Sequence, residues 1–76
     1  MIADEMFEEL GYKNGGMLND TLLSYYNKTN SMEITFDLSE KTFIKYDKFW
    51  GTCLRINMGE LKAINLKCKE LGWLDE

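Results

Sequence analysis

Apolar and polar residues alternate most cleanly at residues 32–38, where Ile34, Phe36 and Leu38 interleave with Glu33, Thr35 and Asp37. A period of two is the mark of a strand with one face in a core. Ser39, Glu40 and Lys41 then make a short connection into residues 42–47, where Ile44 and Tyr46 alternate with Phe43 and Lys45. The two segments are expected to pair as a hairpin, although the pattern leaves open whether Phe43 or Ile44 faces inward. Residues 21–28 are rich in strand formers and run into a turn-prone stretch at 27–31. Tyr25 and Tyr26 are adjacent on that strand and must point to opposite faces. Residues 53–56 predict a further short strand, with Leu54 and Ile56 inward and Arg55 outward.

At both ends of the chain the spacing lengthens to that of a helix. Asn57 can cap a helix spanning about residues 57–73, and Glu60, three residues on, can reach back to the Asn57 amide in a capping box. Leu61, Ile64, Cys68 and Leu71 recur at intervals of three and four, which puts them on one side, while Lys62, Lys67, Lys69 and Glu70 fall mostly elsewhere. Gly72 suits the stop position, and Trp73 beyond it can fold back on Cys68 in a Schellman ending. Residues 2–10 predict a shorter helix with Ala3, Met6, Phe7 and Leu10 on one face, Asp4 and Glu5 in the first turn and Gly11 as the stop. A helix of that length must dock on something to persist in water. Between it and the first strand, residues 12–20 contain Asn14, Gly15 and Gly16 and read as a turn or flexible loop. The expected fold is therefore α+β in two layers: a short N-terminal helix, an antiparallel meander of three to four strands, and a C-terminal helix, with both helices on one face of the sheet.

Seventy-six residues allow a single domain, 1–76, with a limited core and little room for an enclosed active site. No apolar run approaches the roughly 20 residues of a membrane span. The acidic opening MIADEMFEEL lacks the basic start and apolar run of a secretion signal, so the expected setting is cytoplasmic and Cys53 and Cys68 are expected to be free thiols. Cys68 lies on the apolar stripe and reads as a small buried hydrophobe. With no histidine and no GxxxxGK[ST], GxGxxG or calcium-loop spacing, no catalytic, metal or cofactor site is expected. The net charge of −4 argues against nonspecific affinity for nucleic acid or anionic lipid. Its distribution is uneven: residues 1–40 hold eight carboxylates against two lysines, whereas residues 41–69 hold seven bases against two acids. The simplest expectation is that the acidic first helix lies beside the basic second half.

The opening ADEMFEELGY, the central ITFDLSEKTF and the closing MGELKAINLKCKELGW resemble a group of short proteins encoded by phages and prophages of Gram-positive bacteria. In that group an acidic EMFEELGY-like start and an ELKAI...ELGW-like end frame a variable middle. The resemblance covers roughly half the chain and leaves out residues 14–31. It implies a phage or integrated-element origin and a bacterial cytoplasmic setting, and it carries over no catalytic or binding residue.

Ten aromatic residues exceed what one thin core needs. Phe49 and Trp50 sit beside Gly51 where the alternation lapses; Trp50 either caps the open end of the core or is exposed, and exposed aromatic side chains favour recognition because they offer large area with few rotamers. The expected working surface is the outer aspect of the central hairpin and the loop after it. Tyr46, Phe49 and Trp50 would be its anchors, with Lys45 and Lys48 as rim charges. The function expected from this is that of a small non-enzymatic accessory protein that binds a host or phage protein, for example inhibiting a host nuclease or defence system through the acidic first helix. The alternative is a nucleic-acid-binding regulator using the basic aromatic hairpin as a base-stacking surface.

Overall fold

The computed structural model describes residues 2–74; Met1 and the terminal acids Asp75 and Glu76 lie outside them. A helix α1 (Ala3–Glu9) precedes five strands, β1 (Tyr12–Met17), β2 (Leu22–Asn27), β3 (Met32–Asp37), β4 (Thr42–Asp47) and β5 (Thr52–Cys53), and α2 (Met58–Glu70) follows them. The strands form one antiparallel meander in the order β1-β2-β3-β4-β5. The register sets Ile34 against Tyr25 and Lys45, and Phe36 against Leu23 and Phe43. These residues therefore share one face, and Ala3 and Phe7 of α1 join Ala63, Ile64 and Cys68 of α2 in burying it. Both helices cover the same side, as the stripes predict.

The sheet has one strand more than the sequence reading, because β1 occupies the glycine-containing segment expected to be a loop. Its residues show no alternation, so its strand character comes from pairing with β2 rather than from its own pattern. A bulge between Asn14 and Gly16 interrupts the pairing, with Gly16 at φ +78 and its amide donating to Asn14 Oδ1 at 2.7 Å. Positive φ at this place is what the glycine is for. The bulge also blunts an edge strand that would otherwise offer a long row of unpaired backbone groups. At the opposite edge β5 is only two residues long, and Leu54 and Ile56 beyond it are half-buried while Arg55 is exposed.

Helix α1 has seven residues and cannot hold itself in water. Phe7 fixes it by stacking on Tyr25 with ring centroids 4.1 Å apart and meeting Phe36 edge-on at 6.2 Å. Burying such a side chain is worth roughly 1.5–3 kcal/mol. Polar contacts set the helix orientation: the Ala3 amide donates to Glu70 Oε2 at 2.8 Å, and the Tyr25 hydroxyl donates to Asp4 Oδ1 at 2.6 Å. Lys67 of α2 is the base that acts on Asp4 of this acidic helix. Burial raises the Asp4 carboxyl, but the bonds from Tyr25 and Asn14 and the nearby Lys67 outweigh it and bring the pKa below its ordinary value.

Helix α2 starts as predicted, with the Glu60 amide donating to Asn57 Oδ1 at 2.8 Å and the Asn57 amide donating to Glu60 Oε1 at 3.0 Å. It ends in a Schellman motif, with Gly72 N–H on the Lys69 carbonyl and Trp73 N–H on the Cys68 carbonyl. Trp73 packs towards Phe36, ring centroids 6.2 Å apart. The buried face is rotated from the predicted stripe, however. Glu60, Ala63, Ile64 and Cys68 are buried, while Leu61 is 43% exposed. Gly59 explains the roll: a Cβ there would come within 3.0 Å of Leu10 Cδ2, so the first turn of α2 presses its backbone on α1 and swings Leu61 outward.

The face of the sheet away from the helices carries Leu22, Ser24, Tyr26, Glu33, Thr35, Ile44 and Tyr46 by register. Ser24, Glu33 and Thr35 are buried here even without a covering layer. Each lies on β2 or β3, inside the sheet, with a larger neighbour across the register: Glu33 stands between Tyr26 and Tyr46, and Thr35 between Ser24 and Ile44.

Candidate functional site

The turn between β4 and β5 is held from behind by Asp47. Its Oδ1 accepts the Phe49 amide at 2.9 Å, the Trp50 amide at 3.2 Å and the Ser31 hydroxyl, while its carbonyl accepts the Gly51 amide. The Lys48 amide donates to the Ser31 carbonyl at 2.7 Å, tying this turn to the one between β2 and β3. Such an aspartate-led turn uses its side chain in place of a backbone partner. The Ser31 hydroxyl, helped by the Trp50 and Phe49 amides, outweighs desolvation and keeps the Asp47 carboxyl below its ordinary pKa.

With the backbone pinned, the side chains of Phe49 and Trp50 stand away from the fold, 76% and 73% exposed. Their rings meet edge to face, centroids 4.9 Å apart and planes at 88°. Beside them lies an open groove of about 420 Å3, lined by Tyr26, Asn30, Met32, Lys48 and Phe49 among others. The arrangement is an apolar anchor with a cation at its rim, on a turn whose shape does not depend on a partner.

Of the residues the sequence assigned to this surface, Lys48, Phe49 and Trp50 come together. Tyr46 lies on the sheet face away from the helices, half-buried, with its hydroxyl donating to the Glu33 carboxylate. Burial and that carboxylate push its phenol pKa upward. Lys45 departs from the expectation altogether. Neighbours on a strand alternate between faces, so Lys45 cannot share Tyr46's side, and it runs beneath α2 with 8% exposure. Its Nζ donates to both Glu60 oxygens at 2.9 Å. It is not a rim charge.

The buried group that Lys45 joins was missed in the sequence reading. Glu60 accepts from Lys45, from the Tyr12 hydroxyl at 2.9 Å and from the Asn57 amide, so its carboxylate is bonded on all sides. Burial raises its pKa, but the Asn57 amide, Lys45 and Tyr12 more than offset this and hold it below the ordinary carboxylate range. Burial, followed by the Glu60 carboxylate, pushes the Tyr12 phenol well above its usual value. Three donor groups thus make four hydrogen bonds to one carboxylate, which is committed to the fold. The available signal was Glu60 at the head of a row through Ala63, Ile64, Lys67 and Leu71, which competes with the row that begins at Leu61.

Comparison with family models, curated proteins and solved structures found no significant match to this chain.

Proposed function

We propose that this chain is a small accessory protein of a phage or mobile element that acts by binding a host or phage protein, with Phe49 and Trp50 as anchors and Lys48 at the rim. The observation that carries this reading is the three-quarters exposure of two large aromatic side chains on a turn pinned by Asp47. Their exposure costs the free protein solubility and serves no core, whereas a rigid aromatic pair loses little entropy on binding. The genomic setting rests on the resemblance of both ends of the chain to short phage-encoded proteins. A binding rather than catalytic role is supported by the saturation of Glu60, a buried carboxylate whose hydrogen bonds are all made within the fold. No helix among the described residues is long and apolar enough to cross a membrane.

Trp50→Ala separates an anchor from a core residue. As an anchor, its loss should cost a partner about 2 kcal/mol or more of affinity, roughly thirtyfold, and change folding stability by no more than about 0.5 kcal/mol. Capture of partners from host lysate by wild-type and Trp50→Ala protein, with thermal unfolding of both, gives the two numbers. Equal capture by the two proteins, or a stability loss of about 3 kcal/mol or more as for a core tryptophan, would overturn the reading.

Two other uses fare less well. The nucleic-acid reading loses Lys45 to the pair with Glu60, leaving Lys48 beside the aromatics. Phosphate mimicry by α1 is weakened because Asp4 accepts from Tyr25 and Asn14, and Glu5 from the Ile2 amide.

A further inference from the structure

The two ends of the sheet differ in charge and in shape. At one end, the turns at residues 28–31 and 48–51 contain Lys28 and Lys48 and no carboxylate, and the adjacent Asp47 side chain is occupied within its own turn. The Phe49 and Trp50 pair projects from this end. At the other end, the turns at residues 18–21 and 38–41 carry Asp20 and Glu40 with Lys41, and Asp37 closes β3. Like Asp47, Asp37 is occupied within its own turn, where the Glu40 and Ser39 amides and the Ser39 hydroxyl donate to it. There, on the face away from the helices, lies a second open groove of about 430 Å3, lined by Leu18, Leu22, Thr35, Ile44, Tyr46 and Asp37 among others. Leu18 and Ile44 are 54% and 45% exposed, apolar area on this face that no element of the fold covers.

An aromatic projection with cations and an apolar groove with carboxylates are complementary in both polarity and form. Successive turns of a meander alternate between the ends of the sheet, so the projection cannot reach the groove of its own molecule. We propose that the groove receives the Phe49–Trp50 turn of a second copy of this chain, giving a head-to-tail association with Lys48 and Lys28 facing Asp20 and Glu40. Such an interface is heterologous: each copy keeps one unused half, so growth continues until a ring closes or remains open-ended. It also covers the aromatic pair, so self-association competes with partner binding. The proposal rests on the reading of Phe49 and Trp50 as anchors.

Sedimentation of the full chain from about 10 μM to about 1 mM covers the range expected for a weak contact. The weight-average mass should rise with concentration, and less so at high salt because the facing charges are exposed. Trp50→Ala removes the projection; Ile44→Glu, or Leu18→Glu as a second choice, places a carboxylate in the groove at an exposed position. Each variant alone should remain monomeric with an unchanged circular dichroism spectrum. An equimolar mixture of Trp50→Ala and Ile44→Glu should form dimers and nothing larger, because it contains one intact groove and one intact projection. A monomer at all concentrations overturns the proposal, as does a mass rise that survives either variant or a mixture that stays monomeric. Partner capture by Ile44→Glu keeps the two readings apart: this variant retains the aromatic pair, so it should capture a partner even if the chain does not self-associate.

Discussion

Glu60 shows how one side chain can serve two structures. It closes the capping box of α2 and, with the same carboxylate, receives Lys45 from β4 and Tyr12 from β1. Removing one partner of a buried pair strands the other, which costs about 3–5 kcal/mol. Lys45→Met should therefore destabilise by that amount and come close to unfolding a domain of this size. Adding Glu60→Gln removes the stranded charge while keeping a side chain that can cap the helix. The double variant should then be more stable in urea than Lys45→Met alone; a double variant that is less stable would show that Lys45 acts through packing. The pH dependence has a definite sign. Since the Glu60 carboxyl is lower in the fold than its ordinary 4.5, its contribution is complete above that value and is lost as pH falls through the folded pKa. The Tyr12 and Tyr25 phenols are raised above 10.0, by burial first and by the Glu60 and Asp4 carboxylates next. Their contribution is complete below pH 10.0 and declines as pH rises further. Denaturant melts across pH should show a shallower acid limb for Glu60→Gln, and tyrosinate absorbance of the folded protein should lag behind that of the unfolded chain.

At the level of elements, α2 separates pattern from packing. Ile64 is 1% exposed and Leu61 43%, although the apolar periodicity ranks them alike. Ile64→Ala should cost about 2–5 kcal/mol by opening a cavity, whereas Leu61→Ala should stay within about 0.5 kcal/mol. Paired urea melts test this, and equal losses would mean that α2 sits on the stripe that starts at Leu61. The rotation has a local cause in the approach of Gly59 to Leu10 and in the anchoring of Glu60 under the sheet. Strand β1 makes the complementary point. A segment containing two adjacent glycines became a strand because β2 offered a partner and the bulge at Gly16 absorbed the misfit.

For the molecule as a whole, α1, α2 and the strands bury a single apolar cluster, so Cys68 and the rest of the core are exposed together when the fold opens. Cys53 is exposed and Cys68 is buried, with its thiol pKa raised by burial. In the native state one thiol should label rapidly, and the second only at the rate set by opening of the fold. Mass spectrometry of a labelling time course, with Cys53→Ser to assign the slow site, checks this; fast labelling of Cys68 in native protein would show that the α2 face opens independently of the core. Full denaturation without reductant should release two free thiols.

The elements with a strong local signal were legible from the chain alone: the alternation of β3, the start of β4 at Thr42, the Asn57–Glu60 capping box and the Gly72 stop; the lapse of pattern around Phe49 and Trp50 was visible too, but it left open whether Trp50 is exposed or core. Each depends on residues within one or two turns of one another, so periodicity and capping chemistry suffice to specify it. Assignments that depend on distant partners were not legible. Strand β1 required β2, the roll of α2 required Leu10 and Lys45, and the burial of Lys45 required Glu60, fifteen residues away. A lysine in an alternating strand carries no local sign of which face will find a carboxylate. Only the tertiary structure decided that Lys45 would be enclosed while Lys48 remained at the aromatic turn, because an ion pair is buried only where the fold has already brought its two halves together.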